Sequence, residues 1–115
     1  MNGKAKEDFE SWLRKQPNFI YNKYTRKIVF MGKILFEDLP SNIKNAFIIE
    51  WIDSVGVTVD VIPRLSEKNG IAFEPNTFCV ETEFTTEDFE QFSTRQEATE
   101  KAIEVAVNIY NEKQK

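Results

Sequence analysis

The chain contains no histidine and a single cysteine, Cys79. Without imidazole it lacks the side chain that most often acts as general base near neutral pH, and the commonest protein ligand for transition metals. A Ser-His-Asp or Cys-His site is therefore excluded, and a zinc centre has too few ligands of the right kind. One cysteine also excludes an internal disulfide and fits a reducing compartment. No apolar run approaches the roughly 20 residues that a membrane helix needs, and the longest is interrupted by Glu50 and Asp53. The opening MNGKAKEDFE has acids and no apolar core, so a secretory leader is not expected and a cytoplasmic location is. Internal repeats and low-complexity tracts are missing too.

What is present is the material of a folded core. Ten Phe, three Tyr and two Trp stand in a chain of 115 residues that is 41% hydrophobic and 30% charged. That balance describes a globular domain, and the length suits one domain over 1–115. No enzyme, cofactor or metal centre is expected, and no small-molecule substrate or membrane partner is evident.

Residues 4–16 have Ala5, Phe9, Trp12 and Leu13 on one helical face, and Pro17 closes that helix. Phe19–Tyr21, Lys27–Met31 and Ile34–Phe36 read as strands, turning at Asn22-Lys23-Tyr24-Thr25 and at Gly32. Two readings compete for the next stretch. Ser41 suits the cap of a helix over 43–54, but that helix would set Glu50 amid Ile43, Ala46 and Phe47. A strand over 45–53 avoids the conflict, and Gly56 then supplies the left-handed residue of a three-residue hairpin loop. The expectation is a central hairpin at 45–63 with Glu50 opposite Asp60. Beyond it, 71–74 and 77–84 read as strands around Pro75-Asn76, and Thr85–Phe92 as an acidic connection. Thr94-x-x-Glu97 is a capping box opening a final helix, with Ala98, Ala102, Val105, Ala106 and Ile109 as its buried stripe, fraying after about Asn111. The sum is an α+β fold: an N-terminal helix, a three- to five-stranded mostly antiparallel sheet, and a C-terminal helix packed on the sheet.

Leu39-Pro40-Ser41, the run Trp51-Ile52-Asp53-Ser54-Val55-Gly56, and Phe92-Ser93-Thr94-Arg95-Gln96-Glu97-Ala98 leading to Ile103 and Tyr110-Asn111 together resemble small uncharacterised proteins carried by phages, prophages and mobile elements of gut Bacteroidetes. The likeness covers about 39–111 and departs from that group's Gln-Trp-Gly-like pattern at Ile43–Ala46. It implies a cytoplasmic accessory protein encoded by mobile DNA and brings no activity or functional residue with it.

Two surfaces stand out. Between Ser11 and Phe36 lie six bases and no acid: Arg14, Lys15, Lys23, Arg26, Lys27 and Lys33, interleaved with Phe19, Tyr21, Tyr24 and Phe30. Bases for phosphates and aromatic rings for stacking are the chemistry of a single-stranded nucleic-acid surface. The plainer alternative is a solvated basic face over core aromatics. Acids concentrate instead at Glu81, Glu83, Glu87, Asp88 and Glu90. The second surface is the far face of the expected hairpin, where Ile48, Ile52 and Ile62 accompany Glu50 and Asp60. Facing carboxylates need relief by a base, a shared proton or a cation. Exposed isoleucines there favour a protein partner or self-association over nucleic acid as the leading reading. Ser41-x-x-Lys44 matches the nucleophile motif of penicillin-recognising enzymes, but without its companion motifs it is a chance match.

Overall fold

In the computed structural model, residues 1–66, 70–79, 84–87 and 91–114 are described, with side chains for all of these except Ser66 and 84–87. The first helix, α1, spans Gly3–Arg14 and buries Ala5, Phe9 and Leu13, the face expected from their spacing. Pro17 ends it, and a small antiparallel sheet follows: β1 (Phe19–Asn22), β2 (Lys27–Phe30) and β3 (Ile34–Leu35), in that order. Phe19 pairs with Phe30 and Tyr21 with Ile28, so the aromatic side of this sheet turns inward onto the core. A single 3₁₀ turn at Phe36–Asp38 leads into the next element.

That element corrects the sequence reading. Residues Ser41–Ser54 form a helix, α2, and no hairpin exists at 45–63. Ser41 is its first residue. The apparent conflict at Glu50 disappears because Ile43 and Ala46 are not core residues at all. Ile43, Ala46, Glu50 and Asp53 form one exposed stripe, spaced three or four apart. The other side is wide because two layers cover it. Phe47 meets Phe19 and Phe36 edge-on at 5.0 and 6.5 Å, while Trp51 meets Phe9 at 5.7 Å and Tyr110 at 5.0 Å. Ile52 is fully buried in the main core. A helix packed on both flanks is apolar around most of its circumference, which defeats a simple amphipathic test.

Gly56 does adopt the expected left-handed conformation, with φ of +88°. It does so as the residue just beyond the end of α2, where its N–H donates to the carbonyl of Asp53. The chain then enters β4 (Val57–Ser66), which pairs along its whole length with β5 (Gly70–Cys79). β6 (Phe84–Glu87) adds a third strand on the far side of β5. The fold is α+β, with two three-stranded antiparallel sheets in place of one. Asp60 lies opposite Asn76, so the expected clash of two carboxylates does not arise. The expected connection at 85–92 is strand at least to Glu87, while the later part of the expected strand 77–84 falls partly outside the described residues.

Pro75 does not interrupt β5. Phe73 exchanges both backbone hydrogen bonds with Phe92, at 2.9 Å each, so its polar groups point away from β4. The unbroken register gives Pro75 the same orientation two residues on. The N–H that proline lacks is therefore not one that β4 needs.

The last helix, α3 (Arg95–Lys113), packs across β4 and β5 and against α1 and α2. Thr94 caps it as expected: its Oγ1 accepts the Glu97 N–H at 3.2 Å and donates to the Glu97 carboxylate. Ala98, Ala102 and Ala106 are buried, letting the helix lie close to the sheet, and Thr77 donates to the Ala102 carbonyl at 3.2 Å. Ile103, Val107 and Tyr110 complete the buried stripe, with Val105 and Ile109 at its margin. The helix runs two residues past the expected end. There it locks the two chain ends together. Asn111 accepts the Ala5 N–H at 2.7 Å and donates to the Asn2 carbonyl, and Tyr110 donates a short hydrogen bond to Asp8. That bond and Lys4, at 3.1 Å, hold the Asp8 carboxyl below the usual carboxylate range. Burial, followed by the hydrogen bond to Asp8 and then its charge, pushes the Tyr110 hydroxyl up to about 12.

Candidate basic-aromatic groove

The segment singled out for its charge forms a real structural unit. The C-terminal end of α1 supplies Arg14 and Lys15, where cations also complement the negative end of the helix dipole. The β1–β2 turn supplies Lys23 and Tyr24. The Asn22 side chain shapes this turn by accepting the N–H groups of Tyr24 and Thr25 at 2.9 and 3.2 Å. Arg26 takes a left-handed conformation (φ +60°), and its N–H donates to the Asn22 carbonyl at 2.7 Å.

These pieces converge on a groove of about 880 Å³ lined by Ser11, Arg14, Lys15, Ile20, Tyr21, Asn22, Lys23 and Tyr24. Three of its eight lining residues are bases and none is an acid. The Arg14 guanidinium lies over the Tyr21 ring, 3.7 Å from its centroid. The Lys23 ammonium sits 5.5 Å from the centroid of Tyr24. Tyr24 is 87% exposed and Ile20 62%, so the groove has apolar as well as cationic walls.

The other three bases of the segment are placed elsewhere. Arg26 and Lys27 line a second cleft of about 1080 Å³, which Arg14 and Tyr21 also line. Acids accompany the bases there, including Glu10, Glu37, Glu100 and Glu104, and Lys27 is already paired with Glu37 at 3.1 Å. Ser41 and Lys44 also line this cleft, and the Lys44 ammonium donates to the Glu37 carbonyl. Lys33 lines neither space. Of the interleaved aromatics, Phe19 and Phe30 belong to the core, as the plainer reading of the sequence required.

The second expected surface is not assembled. Ile52 is buried in α2, Ile48 is half-buried on the same helix, and Glu50 stands on its outer stripe. Asp60 and Ile62 lie on β4, where the Asp60 carboxylate accepts the Val61 N–H at 2.8 Å. The five residues share no face. Of the acidic stretch, Glu81, Glu83, Asp88 and Glu90 lie outside the described residues. Among the described residues no group of three or more His, Cys, Asp or Glu is placed to hold a metal ion, and no helix is long and apolar enough to cross a membrane.

One feature of the groove was not legible in sequence: that Tyr21 is covered while Tyr24 is open. Both are tyrosines beside bases, and only the strand register separates them, turning Tyr21 inward and leaving Tyr24 in the turn. Compared with known proteins, the chain matches no family model, no curated protein and no solved structure.

Proposed function

We propose that this chain is a small non-catalytic accessory protein that binds nucleic acid through the end of α1 and the β1–β2 turn. The observation that carries this reading is the groove in which Arg14, Lys15 and Lys23 meet Tyr21 and Tyr24 without a carboxylate among the lining residues. Phosphates supply the complementary charge and nucleobases the complementary rings. The exposed stripe of α2 carries Glu50 and Asp53, which disfavours a polyanion on that face. The absence of histidine leaves the chain poorly equipped for proton transfer near neutral pH, which supports a binding role over a catalytic one.

Fluorescence anisotropy with labelled oligonucleotides tests the proposal. Three phosphate contacts to a single strand give a salt slope near −2, so affinity falls about twentyfold between roughly 50 and 200 mM salt. No binding at about 50 mM salt would remove the proposal.

Contact with a protein partner or a second copy is the alternative, supported by a different feature. Leu65 and Ile71 lie directly opposite each other on β4 and β5 and are 91% and 53% exposed. Self-association that disappears in Leu65→Ser would favour this reading, and a monomer unaffected by that change would count against it. An accessory role in mobile DNA and a cytoplasmic setting rest on the resemblance across 39–111, and the neighbours of the gene are the check on both.

A further inference from the structure

We infer that the groove takes a single strand in preference to a duplex, with one base stacked on the Tyr24 ring and the adjoining phosphate held among Arg14, Lys15 and Lys23. This rests on the nucleic-acid reading above and specifies its ligand. Tyr24 is the most exposed aromatic residue among those with described side chains, and the backbone holds it there. The Asn22 side chain accepts two N–H groups of the turn and the Asn22 carbonyl a third, so the ring is presented by a fixed loop. The Lys23 ammonium lies over the ring, 5.5 Å from its centroid, on a flexible stem that can carry it to the phosphate of a nucleotide stacked there.

Tyr21 does a different job. Its ring is already covered by Arg14 at 3.7 Å, so it is closed to a base. Stacking by its flat face leaves the edge N–H groups of a guanidinium directed outward, the geometry that suits a phosphate. Tyr21 is thus a positioning residue for Arg14, and Tyr24 is the platform. Exposed Ile20 adds apolar surface at the same groove. A duplex gains little from this arrangement. Its base faces are hidden in the stack, and reading its edges requires a helix or a two-stranded ribbon entering the major groove.

The test compares an oligothymidine of roughly a dozen nucleotides with a duplex of the same length and with heparin, using the full chain and its Tyr24→Ala and Tyr24→Phe variants. Tyr24 makes no core contact, so both variants keep the fold. The expected result is tighter binding of the single strand than of the duplex, a loss of about tenfold in Tyr24→Ala, and near-normal affinity in Tyr24→Phe. Equal binding of single strand and duplex, with Tyr24→Ala unchanged, overturns this inference and leaves the general nucleic-acid reading standing. Binding of heparin alone, or of none of the three, overturns both.

Discussion

Asn111 serves α1 from the other end of the chain. The residue before α1, Asn2, makes no side-chain cap of its own, and Asn111 fills the role by accepting the Ala5 N–H and fixing Asn2. Gly3 is needed for this contact: with φ of +64°, it leaves space where a Cβ would stand 3.0 Å from the Asn111 side chain. The neighbouring Tyr110–Asp8 bond is the second half of the lock. Tyr110→Phe keeps the ring against Trp51 and removes only the hydroxyl, so it lowers stability by about 1 kcal/mol near neutral pH. This difference depends on pH in a defined way. The folded-state value of Asp8 lies below its ordinary 3.8, so its contribution is present above that value and is lost as pH falls below it. Tyr110 is raised from 10.0 to about 12, so its contribution is complete below 10.0 and is lost as pH rises through about 12. Denaturant titrations of both proteins should therefore show a gap that is flat between these limits and narrows beyond each. None of this was legible in the sequence. A pairing between residues 102 positions apart leaves no local pattern, and neither tyrosine nor aspartate is unusual on a helix.

At the scale of elements, α2 divides what sequence can and cannot show. The apolar residues of 43–55 carry a strand-like composition, and their helical arrangement is imposed by neighbours on both flanks. Gly56 was read correctly as left-handed, but a hairpin loop and a helix end make the same demand on that residue. Helical order in α2 has a clear mutational signature. Ile52→Ala costs about 3 kcal/mol because it opens a cavity in the core. Ile43→Ala, on the outer stripe, costs less than about 1 kcal/mol. Chemical denaturation of the two variants checks this. The small sheet, α1 and α3 were legible because each has a signal that tertiary packing does not override. Pro17 and a regular apolar face mark α1, Asn22 and Gly32 mark the turns, and Thr94 with Glu97 marks the start of α3. The alanine stripe of α3 was likewise visible. Ala102 is 1% exposed and its carbonyl accepts from Thr77, so Ala102→Leu should overpack the helix–sheet contact and cost about 2 kcal/mol, again by denaturation.

The whole molecule measures 52 by 32 by 20 Å, drawn out along its length, and its charge is sorted by region. Its formal net charge of −4 conceals an end where three bases and two tyrosines meet with no acid among the lining residues. The basic segment was legible because charge runs are visible in a linear sequence. Its division between two clefts was not, since Lys27 finds Glu37 only after the small sheet forms. Salt dependence belongs to this scale. Arg14→Gln and Lys23→Gln should each weaken oligonucleotide binding and reduce the magnitude of the salt slope by about 0.7. A ¹⁵N amide shift map of the protein, titrated with a short single-stranded oligonucleotide at low salt, tests the binding groove directly. Shifts confined to Ser11–Lys15 and Ile20–Thr25 are expected. Shifts centred on α3 or on the β4–β5 ribbon, or no shifts at all, would contradict binding there.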